Sequence, residues 1–220
     1  MEFLLRYLWD ILQGFIVTVE VTLFGAFAGL ALGTLLALGD LYGGRVVSIL
    51  IGAYTEFFRG SPIIVQLFFF YFSIPSLLET TFDAFAVGLV VFALNSAAYQ
   101  KGYIKGAIAV ISEDQMMAAL SLGLSKIKAI FYVILPQALR LVIPAWSNEF
   151  CSLTKSTAAL LVIGVKDLTS VGLRISSWHF RYVETFLVVA IIYLAWVTVV
   201  TKIADEVYER VKIPGIEISA

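Results

Sequence analysis

Charged residues are scarce in this chain of 220 residues: Asp, Glu, Lys and Arg make up 14%, whereas 60% of residues are hydrophobic. Soluble domains carry about 25% charged residues. The composition, with a mean hydropathy of +0.95, therefore predicts a membrane protein. A formal net charge of −1 provides no basic surface, which argues against nucleic-acid binding. The length predicts a single domain over residues 1–220.

Residues that carry most enzyme chemistry are also rare. His179 is the one histidine and Cys151 the one cysteine, which excludes a histidine-based triad, an internal disulfide and a cysteine metal cluster. No GxxxxGK[ST] phosphate loop occurs, so the chain is predicted to bind no ATP and no other cofactor. An intramembrane enzyme would need Glu20 and Glu149 close together around a metal, and nothing in the sequence pairs them. The chain is therefore predicted not to be an enzyme.

Long apolar runs predict an all-α membrane protein, because a helix needs about 20 mostly apolar residues to cross a bilayer. Five such spans are predicted, at residues 11–38, 62–78, 85–99, 138–165 and 185–201. Ser61 is predicted to cap the second span and Pro62 to occupy its first turn. Glycines spaced by four in the first span predict close packing against another helix: Gly25, Gly29 and Gly33.

Basic residues predict the orientation, since they stay in excess on the cytoplasmic side. The loops at 40–60 and 100–140 and the C-terminal end hold the larger set: Arg45, Arg59, Lys101, Lys105, Lys126, Lys128, Arg140, Lys202, Arg210 and Lys212. The opposite side holds the smaller set: Arg6, Lys166, Arg174 and Arg181. The N-terminus is therefore predicted outside and the C-terminus in the cytoplasm.

A segment rich in small residues, 112–136, separates the third span from the fourth. It predicts two short helices that project on the cytoplasmic side and are joined by a tight bend. Gly123 is predicted to adopt a left-handed conformation at the bend, and Pro136 to end the second helix. Two serines are predicted to cap these helices: Ser112 before 113–122 and Ser125 before 126–135. Three exposed side chains are predicted to form an adaptable docking surface: Met116, Met117 and Leu120. The alternative is a re-entrant or interfacial hairpin that binds no partner.

The spacing in this segment resembles the EAA loop of ABC-importer permeases, E-A-A-x3-G-x9-I-x-L-P. The motif and its neighbours fall on Met117, Ala118, Ala119, Leu120, Gly123, Leu124, Ser125, Val133, Leu135 and Pro136. The resemblance implies that the loop docks on a cytoplasmic ATPase and couples it to the membrane helices. Met117 stands where the family has glutamate, and Val133 where it has isoleucine. Docking is therefore expected to depend more on apolar contact than on charge.

Three further blocks resemble permeases of the polar amino-acid (histidine/glutamine/arginine) uptake family. They are YTEFFRGSPIIVQLFFFYF at 54–72, LNSAAYQKGYIKGAI at 94–108, and LPQALRLVIPAWSNEFCSLTKSTAALLVIGVKDLT at 135–169. The resemblance implies a type I ABC-importer permease with five transmembrane helices and a cytoplasmic coupling helix, in a prokaryotic inner membrane. It also implies three partners: an ATPase dimer that carries ATP and Mg, a second permease subunit that is identical or related, and an extracytoplasmic binding protein.

This chain also departs from the family after the third span. Such permeases often carry Glu soon after Ala-Ala-Tyr and then Arg. In this chain the position of the Glu is occupied by Lys101 or Tyr103, and the position of the Arg by Lys105.

Polar residues inside apolar spans are costly and are therefore candidates for substrate contact. They are Glu149, Lys155, Asn148, Asn95 and Glu20. Glu149 suits an ammonium group and Lys155 a carboxylate, although six residues place them about 240° apart on a helix. The alternatives are structural charges neutralised by neighbouring helices, and asparagines that bond between helices. The two acidic residues favour a cationic substrate, whereas Arg59 is expected to anchor a helix end.

The predicted function is that of a transmembrane permease subunit of an ATP-driven importer for polar amino acids, working by alternating access. The alternative is a passive channel or an ion-coupled secondary carrier for small polar solutes. Secondary carriers commonly have inverted repeats and paired broken helices. The sequence contains neither, which favours the importer.

Overall fold

The computed structural model describes residues 6–213, except the side chains of Ser112 and Glu113. Seven helices and no strand occur in the described residues: α1 (Leu8–Tyr42), α2 (Gly44–Gly60), α3 (Ile63–Leu77), α4 (Ala84–Ser121), α5 (Lys126–Ile163), α6 (Leu168–His179) and α7 (Tyr182–Val211). The predicted all-α class is therefore confirmed.

Helices α1, α5 and α7 are each long and apolar enough to cross a membrane. Helices α2 and α3 are long and apolar enough only when taken together, and their axes meet at a bend of 108°. The described residues thus hold three candidate spans, or four if the bent pair counts as one. Helix α4 is not among them, because polar residues such as Gln100, Lys101 and Lys105 follow its apolar first half.

Helix α4 corrects the prediction of a third span at 85–99 followed by a separate helix at 113–122. It runs for 38 residues without a break, so Ser112 lies inside a helix and is not an N-cap. The stretch contains no proline, and the helix continues through Gly102 and Gly106. Its true cap is Asp83, whose carboxylate accepts a hydrogen bond from the Ala86 N–H at 2.8 Å.

The bend after α4 has the predicted left-handed glycine, Gly123, with φ of 82°. The Gly123 and Leu124 N–H groups donate to the carbonyls of Leu120 and Ala119, at 2.9 and 3.1 Å. This pair of bonds is the Schellman arrangement, which satisfies carbonyls that a helix end leaves free. Ser125 caps the next helix as predicted, accepting from the Lys128 N–H at 3.5 Å.

Pro136 does not end a helix, contrary to the prediction. Helix α5 passes through it after a π-helical turn at Ile130–Ile134. A second π-helical turn, Phe69–Ser73, precedes Pro75 in α3 at the same spacing. A proline has no N–H and its ring collides with the carbonyl four residues earlier, so the wider turn accommodates the ring.

Ser61 does not cap α3, which begins at Ile63 without a side-chain cap. The Ser61 hydroxyl instead donates to the Phe57 carbonyl at 2.6 Å and closes the end of α2. Pro62 occupies the extended residue between the two helices. The predicted break between the helices is therefore correct. Ser61, however, bonds to the end of α2 and not to the start of α3, and Pro62 precedes the first turn of α3.

The glycine stripe of α1 packs closely against α4, as predicted. A Cβ atom at Gly29 would lie 2.7 Å from the Ser96 side chain, and one at Gly33 would lie 3.0 Å from the Ala97 carbonyl oxygen. A Cβ at Gly25 would lie 3.2 Å from Phe92. Only glycine permits this approach of the two backbones.

A buried carboxylate ties three helices together near the bend. Asp40 of α1 accepts from Lys101 and Lys105 of α4, with Nζ–Oδ2 distances of 2.7 and 2.8 Å. Its other oxygen accepts from the Ser48 hydroxyl of α2 at 2.6 Å. The Asp40 side chain is 4% exposed, so these contacts compensate a charge that water does not reach.

Replacing Asp40 with Asn is expected to destabilise the chain by about 3–5 kcal/mol, because the change leaves the buried Lys101 ammonium unpaired. Combining it with Lys101→Met should recover part of the loss. Thermal unfolding of the purified protein in lipid-containing micelles measures both. Glu206→Gln is the control, since its exposed partner Arg210 lies on the same helix and the pair is worth about 0.5 kcal/mol. Equal losses in Asp40→Asn and Glu206→Gln would contradict the prediction.

Candidate functional site

A polar cavity of about 480 Å³ lies between the α2–α3 corner, α4 and α5. Its volume is in the range of about 300–1,000 Å³ that is typical of small-molecule sites. It is lined by Arg59, Gly60, Ser61, Pro62, Ile63, Asn95, Tyr99, Tyr103, Asn148, Glu149, Ser152, Leu153 and Ser156. Such a set of polar side chains in an otherwise apolar bundle marks the cavity as the candidate site.

Helical periodicity brings these residues to one place. Helix α4 contributes residues spaced by four, which lie one above another: Asn95, Tyr99 and Tyr103. Helix α5 contributes residues spaced by three or four along one face: Asn148, Glu149, Ser152, Leu153 and Ser156. Ser96 and Ala97, which contact the glycine stripe of α1, do not line the cavity, so α4 meets α1 and the cavity with different residues.

The corner between α2 and α3 is held by side-chain amides. Gln66 Nε2 donates to the carbonyls of Phe58 and Ser61, at 2.8 and 3.0 Å. Asn95 Nδ2 donates to the Phe58 carbonyl and to Gln66 Oε1, both at 3.1 Å. Asn95 therefore bonds between helices through its amide N–H groups, and its carbonyl oxygen is the part left for a ligand.

Two residues of opposite charge line the cavity, Arg59 and Glu149. Glu149 is 6% exposed, whereas Arg59 is an exposed residue. The Arg59 guanidinium lies 5.2 Å from the centre of the Tyr99 ring. No salt bridge to Arg59 is present within residues 6–213. The cavity thus presents one site for a cationic group and one for an anionic group.

Arg59 lies in the last turn of α2 and is exposed, in agreement with the predicted position at a helix end, and it also lines the cavity, which the sequence did not predict. The 108° bend at the following residues directs this end of α2 into the cavity. A Cβ at Gly102 would lie 3.8 Å from an Arg59 nitrogen. Residue 102 therefore approaches the guanidinium without a side chain to pair with it.

The five sequence-predicted contact residues divide into two groups. Asn95, Asn148 and Glu149 line the cavity. Lys155 and Glu20 do not line it, and both are exposed elsewhere on the chain. The suggestion that Lys155 and Glu149 bind opposite ends of one ligand therefore has no geometric support. In the described residues, no cluster of His, Cys, Asp or Glu has the arrangement of a metal site.

The bend around Gly123 exposes large apolar side chains. Met117 is 60% exposed and Leu122 84% exposed. Met116, which was predicted to be exposed, instead packs against the core between α4 and α5. Exposed residues that the sequence did not single out extend the surface: Ile127, Phe131 and Tyr132. We call this surface, with Met117, Leu120 and Leu122, the bend surface.

The bend surface and the cavity share one helix. Helix α4 carries Asn95, Tyr99 and Tyr103 in the cavity and Met117 and Leu120 in the bend surface. The bend is also held against the end of α1, where the Lys126 ammonium lies 5.4 Å from the Tyr42 ring centre. The bend surface and the cavity are therefore joined by one continuous helix.

The chain is similar in sequence to known transport proteins. The chain is 34% identical over 204 residues to the glutamine transport system permease protein GlnP of Escherichia coli (strain K12), covering 92% of this chain and 93% of that protein. It is also 34% identical over 202 residues to the arginine transport system permease protein ArtQ of Bacillus subtilis (strain 168), covering 92% of each.

Solved structures give the same result. A crystal structure of an amino acid ABC transporter with histidines matches with a TM-score of 0.85 and 31% identity, over 94% of this chain and 97% of that one. The model of the family described as "Binding-protein-dependent transport system inner membrane component" matches residues 29–213. The chain therefore belongs to the family of binding-protein-dependent transport system inner membrane components.

Proposed function

We propose that this chain is the permease subunit of an ATP-driven importer of polar amino acids and that its polar cavity binds the amino acid. The observation that carries the proposal is the cavity itself, which places a buried carboxylate and a guanidinium in an apolar bundle. These two charges complement the ammonium and carboxylate groups that every amino acid carries. Relatives named for glutamine and for arginine transport support this substrate class.

Within the cavity, Glu149 binds the α-ammonium group and Arg59 binds the α-carboxylate. Asn148, Ser152 and Ser156 line the same space and offer hydrogen bonds to a polar side chain. Glu20 lies outside the cavity, so the cavity contains one acidic residue, Glu149, and not the two that favoured a cationic substrate. The charges of the cavity therefore recognise the zwitterionic part of the substrate, and neutral polar amino acids fit as well as cationic ones.

The chain is a multi-pass protein of a prokaryotic inner membrane. We assign five spans, to α1, α3, α4, α5 and α7, counting α4 because its apolar first half packs along α1. The excess of Lys and Arg around the bend puts the bend surface and the C-terminus in the cytoplasm and the N-terminus outside.

Transport proceeds by alternating access, with the energy supplied by a separate ATPase dimer that binds ATP and Mg. The bend surface, including the EAA-like positions 117–136, docks on that ATPase. A second permease subunit completes the pathway and an extracytoplasmic protein delivers the amino acid. Differential binding of ATP to the closed ATPase shifts the equilibrium between the two orientations of the cavity.

Glu149→Gln is expected to raise the KM for uptake about 10- to 100-fold, because it replaces a charge-assisted bond to the ammonium with a neutral one. Glu20→Gln is the matched control, since it makes the same change at an acid outside the cavity. The measurement is uptake of radiolabelled glutamine and arginine into proteoliposomes that contain the whole transporter. An equal change in both variants would contradict the assignment of Glu149. Uptake that persists without the ATPase would instead support a passive channel or an ion-coupled carrier.

Gly123→Val is expected to weaken assembly with the ATPase. The φ of 82° costs a β-branched residue about 1–2 kcal/mol or more, and relief of that strain alters the bend surface. Gly123→Asn should retain assembly, because asparagine tolerates this conformation. Gly164→Val is the positional control, with φ of 81° and equally open space around a Cβ. Copurification of the ATPase with each variant is the measurement, and loss with Gly164→Val but not with Gly123→Val would contradict the docking role.

The complex with the ATPase is expected to be insensitive to salt, because Met117 and the surrounding bend surface offer apolar contacts. Between 0.1 and 1 M salt the screening length falls from about 10 to about 3 Å, which weakens exposed ion pairs but not apolar contacts. Binding of the ATPase should change less than about twofold over this range. Met117→Glu should introduce a salt dependence. A strong salt dependence of the unaltered complex would show that charge dominates docking.

A further inference from the structure

A second polar cavity, of about 420 Å³, lies between the start of α1 and the start of α6. Asp10 and Gln13 of α1 line it together with Lys166 and Arg174. It is at the end of α1 opposite Tyr42, and therefore opposite the bend surface. We call it the outer cavity.

Positive charge is in excess in the outer cavity. An Arg174 nitrogen lies 3.3 Å from the Asp10 carboxylate, and no salt bridge to Lys166 is present in the described part of the chain. The neighbouring carboxylate of Asp167 is engaged otherwise, because it accepts from the Thr169 and Ser170 N–H groups, both at 3.0 Å. The lining therefore carries two cations against one carboxylate.

Arg174 also has a donor that the protein does not use. Its Nε atom is buried and makes no hydrogen bond, although one side of the guanidinium faces Asp10 and the group lies 5.5 Å from the Trp178 ring centre. Leaving a buried donor unpaired costs free energy. The excess charge and the unused donor together point to an anionic ligand.

The outer cavity is separate from the polar cavity and borders an apolar surface. No residue of α1 lines the polar cavity. The free face of α1 is apolar and exposed at Leu12 and Ile16, directly beside Gln13. Trp9 directly precedes Asp10, the Trp178 ring centre lies 5.5 Å from the Arg174 guanidinium, and both tryptophans are exposed. Tryptophan favours the boundary between headgroups and acyl chains, so the outer cavity lies at headgroup depth.

We propose that the outer cavity binds the phosphate group of an anionic phospholipid. Arg174 and Lys166 donate to the phosphate oxygens, and the acyl chains lie along Leu12 and Ile16. Asp10 orients Arg174 but repels the phosphate, so it lowers the affinity of the site. The carboxylate of a free amino acid is an oxyanion like the lipid phosphate and could accept the same hydrogen bonds. A free amino acid has no acyl chains, however, to lie along Leu12 and Ile16.

The test is titration of the purified transporter, in nanodiscs of phosphatidylcholine, with a fluorescent phosphatidylglycerol. The variant Lys166→Gln/Arg174→Gln should bind it about 30-fold more weakly, since each basic residue near a membrane surface is worth about fivefold. The double variant Lys155→Gln/Lys202→Gln removes the same charge from exposed positions outside the cavity and should bind within about twofold of the unaltered chain. Asp10→Asn should bind more tightly, because it removes the repelling charge.

Each result decides the proposal. Equal weakening by the two double variants would overturn it, because the attraction would then be unspecific. Weaker binding of phosphatidylglycerol by Asp10→Asn would also overturn it, since the carboxylate would then not be the repelling charge that the proposal requires. Competition by free glutamine at the concentrations that saturate uptake would assign the site to the amino acid and overturn the lipid assignment.

Discussion

Close packing of α1 against α4 is the constraint on which the rest of the structure depends. Lipid tails are as apolar as leucine, so helices in a membrane are held together by close contact and polar bonds. The glycines of α1 allow the close contact, and the ion pairs of Asp40 with Lys101 and Lys105 are the polar bonds. Because one face of α4 is used in this contact, the face that carries Tyr99 and Tyr103 is turned to α5, where the polar cavity forms.

The parts of the fold that could be predicted from the sequence are those decided by local physics. The all-α class follows from composition, the left-handed bend from Gly123, and the cap from Ser125. The errors at Ser112 and Pro136 have a common cause, because each residue has a local preference that longer-range packing overrides. Helix α4 stays continuous through Ser112, and a π-helical turn lets α5 pass Pro136.

The candidate site was partly predictable because polar residues stand out in apolar runs. Glu149 and Asn148 line the cavity, whereas Lys155 and Glu20 gave an equally clear signal and lie elsewhere. Sequence reveals that a residue is polar, but its direction around the helix depends on which neighbour packs against it. The position of Arg59 at a helix end was predicted, but its place in the cavity lining was not, because that depends on the 108° angle between α2 and α3.

The continuity of α4 also has a mechanical consequence. A helix rises about 1.5 Å per residue, so the residues from Phe92 to Lys105 that α1 holds span about 20 Å of α4. A rod held at several points along one neighbour cannot pivot about any one of them. Helices α1 and α4 can therefore be displaced only together, as one rigid body.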